Sequence, residues 1–389
     1  MAATNQKVSN HVPDDIVFSI FSKLPLKSVN RFTCLGKSWS TLFENPYFIN
    51  MFYKNIVSKH HSLYDEACLL LNYFDSTVNQ WKLYLLFGER YENKLQIKLP
   101  HPFDGNRGYY QTVSILSSGI NGTLCICDNN RGLTNALWNP ATGEVKIIPQ
   151  NKARLSYGLE THFNIHGFGY DHVRDDYKVL QYVVYIGDDC YSVAPPGPYW
   201  EIYSLQSNRW KKLYVDMRQR YLTSEGSMVY LNGVCHWWGN TYLMGIPSET
   251  FVVSFNLANE VPVTTLFPFD LHALKRFDRH LTMLNGFVAM IVTYEKTSPS
   301  FHISISVLGE PGVNESWIKL FDVGPMSGID HPIGTGKKGD IFLRKDDGEL
   351  ACLDLTTGVM ENIGAKAAEF RSQIVLYKKN IIPIRGIKN

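Results

Sequence analysis

Residues 137–149 read LWNPATGEVKIIP. An apolar run enters, the polar stretch Asn139-Pro140-Ala141-Thr142-Gly143 follows, and a second apolar run leaves. Asn, Pro and Gly turn a chain for distinct steric reasons, so the segment predicts a β-hairpin. It is one of a series. Related stretches are 69–87 (LLLNYFDSTVNQWKLYLLF), 201–214 (EIYSLQSNRWKKLY), 251–268 (FVVSFNLANEVPVTTLFP), 303–321 (ISISVLGEPGVNESWIKLF) and 350–364 (LACLDLTTGVMENIG). Their turns start near Asp75, Asn139, Ser204, Asn256, Leu308 and Asp354, at steps of 64, 65, 52, 52 and about 46 residues. In several copies a bulky or apolar residue stands six places after the turn start: Trp81, Val145, Trp210 and Met360.

A second kind of hairpin lies between these. SGINGTLCI (118–126), MVYLNGVCHWW (228–238) and TMLNGFVAMI (282–291) place Asn-Gly between apolar runs, and TGKKGDIFL (335–343) is similar. Asn-Gly is the strongest short hairpin signal, because both central residues of a type I′ turn need positive φ. The copy at 166–186 turns through Asp171–Asp176 instead. Two hairpins make four strands, and a four-strand repeat of roughly 50 residues predicts a propeller blade of the kelch class. The expected blades are 112–149, 163–214, 225–268, 279–322 and 329–364. A sixth would take two strands from 370–384 and two from 66–88, which closes the body through both of its ends and hides sheet edges. A curved stack or sandwich of the same hairpins is the alternative. The fold expected is thus a small all-α head followed by an all-β domain, a six-bladed propeller in the first instance.

The totals agree with that division. A chain of 389 residues suffices for one large domain and one small one. Aromatics reach 13%, with 22 Tyr and 21 Phe, which favours strands. Net charge is +2, too balanced for a dedicated nucleic-acid binder. Residues 1–60 hold seven Lys/Arg against three acids, or +4, and the remaining 31 basic and 33 acidic residues leave −2. A basic head on a near-neutral body points to an acidic partner for the head. No window of about 20 apolar residues occurs, so no membrane span is expected. The N-terminus has no apolar core of a signal peptide. The seven cysteines form no CxxC pair and read as reduced thiols of a cytoplasmic or nuclear protein. The sequons at Asn121 and Asn314 are then chance matches.

The head, residues 8–55, predicts three short helices. Pro13, Asp14 and Asp15 make a helix start, because acids suit the positive end of the helix dipole. Ile16, Ile20 and Leu24 recur every fourth residue with Val17 and Phe21 beside them, giving one apolar face. Pro25 breaks the run; Leu26, Val29, Phe32 and Cys34 or Leu35 mark a second helix, and Trp39, Leu42 and Phe43 a third. So small a module is marginal alone, so another chain is expected to cover part of its apolar surface. The run VPDDIVFSIFSKLPLKSVNRFTCLGKSWSTLFENPYFI (12–49) resembles the F-box motif of plant proteins, departing from it at Val12, Ser19 and Gly36. The resemblance implies docking on a Skp-type adaptor and, through it, on a cullin and a RING protein. Pro13, Ile16, Ile20, Leu24, Pro25, Leu26, Val29 and Phe32 would carry the apolar contact, and Lys27, Arg31 and Lys37 would meet an acidic adaptor.

The body, residues 66–387, also has a family likeness. LWNPATGEVKIIP, GFGYDHVRDDYKVLQY, VYLNGVCHWWG and SWIKLFDVGPMSGIDHPIG resemble the F-box-associated domain, type 1, of plant F-box/kelch-repeat proteins, nearest in wording to the S-locus F-box-like group. This implies a non-catalytic subunit of an SCF-type (Skp–cullin–F-box) E3 ubiquitin ligase that binds a protein target through propeller loops. A propeller-fold enzyme and an F-box scaffold outside a ligase are the alternatives.

Motifs of other chemistries read poorly. GTGKKGD (334–340) fits a dinucleotide loop, but a strand and not a helix follows it. His162 and His166 stand four apart without a third ligand, Cys125 and Cys127 alternate on one strand, and Cys235-His236 borders Trp237 and Trp238, so core roles are expected for all six. No GxSxG elbow occurs, and no cofactor or metal is expected. The loops 151–162, 192–200 and 270–280 are candidates for recognition.

Overall fold

The computed structural model describes residues 14–21, 67–75, 77–104, 113–128, 134–151, 160–186, 197–215, 217, 228–243, 246–268, 277–297, 300–380 and 383–384. The chain divides into two compact units, Met1–His61 and Ser62–Asn389. In the first, one helix is described, α1 (Asp14–Phe21).

The second unit is built of antiparallel strands. In chain order they are β1 (Ala67–Asp75), β2 (Gln80–Phe87), β3 (Asn93–Ile97), β4 (Val113–Ile120), β5 (Thr123–Asp128), β6 (Asn135–Asn139), β7 (Glu144–Ile148), β8 (Glu160–Asp171), β9 (Asp176–Ile186), β10 (Tyr199–Ser204), β11 (Arg209–Leu213), β12 (Val229–Leu231), β13 (Val234–Leu243), β14 (Ile246–Asn256), β15 (Val261–Leu266), β16 (Phe277–Leu284), β17 (Phe287–Thr297), β18 (Ser300–Leu308), β19 (Trp317–Met326), β20 (Ile329–Thr335), β21 (Ile341–Lys345), β22 (Glu349–Leu353) and β23 (Met360–Lys378). Four sheets of four strands, β4–β7, β8–β11, β12–β15 and β16–β19, follow the chain order, and a seven-stranded sheet runs β20-β21-β22-β23-β1-β2-β3.

The predicted segments 112–149, 163–214, 225–268 and 279–322 thus each coincide with one sheet, and 329–364 with the first strands of the last. The junction of the two chain ends differs from expectation. One strand, β23, comes from the C-terminal side and three, β1 to β3, from the N-terminal side. The first part of β23 pairs with β22 (Met360 opposite Leu353), and the last part pairs with β1 (Ser372 to Lys378 opposite Tyr73 to Ala67).

The opening strands of the sheets, together with β23 inside the seven-stranded one, lie beside one another in succession. β23 neighbours β4, β4 neighbours β8, β8 neighbours β12, β12 neighbours β16, β16 neighbours β20, and β20 neighbours β23 again. The seam between β23 and β4 joins residues far apart in the chain, and a side chain sews it. Gln373 Oε1 accepts from the Ile115 N–H (2.9 Å) while its Nε2 donates to the Ile115 carbonyl (2.8 Å), so an amide side chain pairs with the backbone as another strand would. Asn72 Nδ2 adds a bond to the Val113 carbonyl (2.7 Å).

The turns explain the repeated wording. Asn121-Gly122, Asn232-Gly233 and Asn285-Gly286 all take positive φ, as type I′ turns require. In the opening stretch, Asn139 Oδ1 accepts from the Ala141 N–H (3.0 Å), the Asn139 carbonyl accepts from the Gly143 N–H (2.9 Å), and Gly143 sits at φ +74. The same frame, an acceptor side chain first and a left-handed residue fifth, recurs in Asp75…Asn79, Asp171…Asp175, Ser204…Asn208, Asn256…Glu260 and Asp354…Gly358. The 75–79 turn belongs elsewhere in the plan, however: it joins the second and third strands of the group β23-β1-β2-β3, whereas the others in the predicted series join third and fourth strands. The tryptophans after two turns tie sheets together. Trp210 Nε1 donates to the Pro149 carbonyl (2.6 Å) and Trp317 Nε1 to the Leu266 carbonyl (3.0 Å), each where the preceding sheet's last strand ends.

Apolar side chains from facing sheets form the core. Leu116, Ile120 and Leu137 pack with Phe168, Tyr177 and Tyr203, and Trp237, Phe251 and Phe255 pack with Leu180, Trp200 and Ile202. No helix among the described residues is long and apolar enough to cross a membrane.

Candidate functional site

Two features of the chain offer surfaces for other molecules. The first is α1. Its eight residues, DDIVFSIF, wind two turns and bury Phe18, while Val17 and Phe21 are half-buried. Ile16 and Ile20, one turn apart, are 48% and 54% exposed. Residues four apart share a helix face, so the two isoleucines form one exposed apolar stripe. The sequence placed Val17 and Phe21 on that face too; they turn partly inward instead. Of the residues assigned to adaptor contact, Ile16 and Ile20 are described. Pro13, Leu24, Pro25, Leu26, Lys27, Val29, Arg31, Phe32 and Lys37 lie outside the described residues.

The second feature is a difference between the two ends of the sheets. Strands alternate in direction, so successive connections alternate between ends. One end carries the Asn-Gly turns and, β2–β3 included, most of the other tight hairpins. The five longest connections, residues 98–112, 149–159, 187–198, 214–228 and 267–276, all leave from the other end. Most of the predicted loop residues in 151–162, 192–200 and 270–280 lie outside the described residues.

Ionisable side chains collect in two places. On the short-turn end, Asp171 and Lys178 are both buried and 2.8 Å apart, and Arg174 joins Asp171 at 2.9 Å. Lys178 Nζ also donates to the Leu257 carbonyl (2.8 Å) and Arg174 Nη1 to the Ala258 carbonyl (2.5 Å), so the cluster clamps the β8–β9 turn to the β14–β15 turn. Burial pushes the Asp171 carboxyl up, but Lys178 and Arg174 outweigh it and hold it at about 2.

At the opposite end, the starts of β16 and β20 bring Asp278 and His280 against Asp330 and His331. Burial raises the Asp278 carboxyl above the usual range. Burial, then His331, lowers His280 to about 3, so its ring is neutral. Burial pushes Asp330 up, but His331 (3.2 Å) and Arg344, which bonds its carboxylate, outweigh it and lower it. No group of three side chains able to hold a metal occurs among the described residues. The arrangement is a charge-compensated joint between sheets.

The remaining sequence motifs lie in the framework. GTGKKGD forms the β20–β21 hairpin: the Gly336 N–H donates to the Asp340 carbonyl (2.8 Å), and Tyr91 OH donates to Asp340 Oδ2 (3.0 Å). His166 packs among Trp200, Trp237 and Tyr182 with ring centroids 5.1, 5.9 and 6.5 Å away, and burial lowers it to about 3. His236 Nδ1 bonds Ser254 Oγ (2.8 Å), and burial lowers it to about 3 as well. Cys125, Cys127 and Cys235 are buried and free. Sequence reasoning missed the Asp171–Lys178 pair and the Gln373 seam, whose partners are distant or whose burial depends on packing.

Radially neighbouring four-stranded sheets with sequential hairpins define a β-propeller-type domain. The family model described as an F-box associated beta propeller domain matches residues 73–376, and the chain belongs to that family. Among curated proteins it is similar to F-box protein CPR1 of Arabidopsis thaliana, at 24% identity over 91% of this chain and 84% of the relative. It is also similar to F-box/WD-40 repeat-containing protein 1 of Arabidopsis thaliana, at 24% identity over 82% of this chain and 71% of the relative. The likeness to plant F-box proteins read from the sequence is thereby borne out. A solved structure of oligogalacturonate lyase in complex with manganese aligns over 78% of this chain and 81% of its own, at 11% identity and TM-score 0.42.

Proposed function

We propose that the chain is the target-recognition subunit of a Skp–cullin–F-box ubiquitin ligase. The helical unit docks a Skp-type adaptor, and the β-body, counted as six kelch-like blades with β23 shared by two of them, holds a protein target. The observation that carries this reading is the exposed stripe of Ile16 and Ile20 on α1, in a chain whose relatives are F-box proteins. Isolated exposed aliphatic residues are ordinary, but a stripe on a short helix of a small module needs a cover. Pro13, Leu24, Pro25, Leu26, Val29 and Phe32 extend the apolar contact. Lys27, Arg31 and Lys37 face an acidic rim and tune association rate and salt dependence more than affinity.

The target side is the end with the long connections. Variable loops on a rigid scaffold are where recognition concentrates, and that end alone carries connections of ten residues or more. The subunit forms no bond itself; it holds target lysines near the charged ubiquitin carrier and raises their effective concentration. It works in the cytoplasm or nucleus.

The test is a pull-down with recombinant Skp-type adaptor. The double variant Ile16→Asp/Ile20→Asp loses capture at least tenfold, while the melting of the β-body stays within about 1 °C of wild type, as expected for exposed sites. Undiminished capture by the double variant ends the reading.

A further inference from the structure

At the end with the long connections, the close of β13 and the opening of β14 meet the opening of β16. There Arg279 of β16 stands over the Trp238 ring of β13, its guanidinium carbon 3.8 Å from the ring centroid and 5.6 Å from that of Phe277. Arg279 Nη1 donates to Thr250 Oγ1 (2.8 Å), and that hydroxyl donates to Asn240 Oδ1 (3.1 Å) from the opposite position in the β13–β14 pair. Trp238, Asn240 and Thr250 are buried, and Arg279 is half-buried. The Trp238 indole N–H, although buried, finds no acceptor among the described residues. Asp278 does not fill that role. It takes the Arg279 main-chain N–H (2.7 Å), and, one place along the strand, its side chain turns to the opposite face, towards Asp330 and His331.

We propose that Trp238 and Arg279 form a seat for a carboxylate of the bound protein target. This rests on the reading of the long-connection end as the target side, and it names a chemistry that side recognises. A buried indole N–H normally has a partner, so the site calls for an acceptor. The guanidinium over the same ring makes a negatively charged acceptor the best one, because charge-assisted bonds are the stronger kind. A guanidinium has five N–H donors and Thr250 takes one of them here. The two oxygens of a carboxylate match the two sources of donors, one for the indole and one for the guanidinium. One cation with Asp278 beside it suits a single negative charge; a doubly charged phosphate would need more compensation to leave water. The relay from Arg279 through Thr250 to Asn240 ties the cation to both strands of the neighbouring sheet, so the donors are held in place before the ligand arrives.

The test follows the Trp238 indole N–H itself by NMR of the nitrogen-15-labelled full-length chain, its resonance assigned by its loss in Trp238→Phe. Two probes are titrated at constant ionic strength: N-acetylglutamate amide, which carries a side-chain carboxylate, and N-acetylalanine, which carries a chain-end one. The expected result is a saturable shift of that resonance with at least one of them, the tighter identifying the source. The neutral N-acetylglutamine amide binds at least tenfold more weakly than N-acetylglutamate amide if the side chain is the source, and N-acetylalanine amide at least tenfold more weakly than N-acetylalanine if the chain end is. Arg279→Gln, whose amide can still donate to Thr250, weakens the tighter probe at least tenfold. No saturable shift with either carboxylate, an equal response to the matched neutral amide, or tighter binding of inorganic phosphate overturns the proposal. Should Arg279→Gln fail to fold, the comparison of charged and neutral probes on wild type decides alone. Adaptor capture is measured on the same preparation, so an unresponsive seat beside intact capture strikes this proposal and leaves the ligase reading standing.

Discussion

The two ends of the β-body solve different problems. At the short-turn end, chain reversals use two to eight residues, their first side chain often caps their own backbone, and charged groups clamp one turn to the next through Asp171, Lys178 and Arg174. At the far end the chain spends 10 to 15 residues on each of five connections. Short turns restrict the register of the strands they join; long ones leave it to side-chain packing. The contrast teaches that most tight turns and all the long connections are separated along the strand axis.

Acid should break the scaffold first. His166 and His236 have folded-state values of about 3 against an ordinary 6.5, because burial favours their neutral rings. Their contribution is fully present above pH 6.5 and is lost as pH falls from there toward 3, since the unfolded chain takes up the protons. At pH 5 each costs about 2 kcal/mol, about 4 together. Urea midpoints at pH 7 and pH 5 measure this; His280, also held at about 3, adds a loss of similar size, so His166→Phe should remove about a third of the total. Next in size is Asp171→Asn, which strips a buried lysine of its nearest carboxylate and should cost about 3 kcal/mol. Gln373→Ala leaves the Ile115 backbone pair without partners across the seam and should cost about 2 kcal/mol in the same assay. Gly143→Ala meets no neighbour but forces φ +74 on a side-chain-bearing residue, so about 1 kcal/mol is expected. Replacing 187–198 by a Gly-Ser segment of equal length should shift the melting temperature by about 1 °C or less while abolishing target capture; a large loss of stability would erase the distinction between the ends.

Much of the scaffold was legible because its signals are local. Asn139…Gly143 and the three Asn-Gly pairs announce their φ values in residue type alone. The junction was legible only in outline. Nothing in residues 360–378 says that one strand would serve β22 and then β1, because that choice depends on partners nearly 300 residues away. Asp75 carries the same turn signature as Asn139, yet turn chemistry does not say which pair of strands it joins. In α1 the spacing of Ile16 and Ile20 was plain, but the partial burial of Val17 and Phe21 is not given by spacing. The other residues assigned to adaptor contact lie outside the described residues.

The pairing of β1 with β23 has a consequence for biosynthesis. A ribosome releases residues 67–75 about 300 residues before their partners at 372–378. Until then β1 waits with one flank open, and a chain cut short before residue 372 lacks the segment that pairs with it. Only chains that include residues 372–378 can complete that pairing.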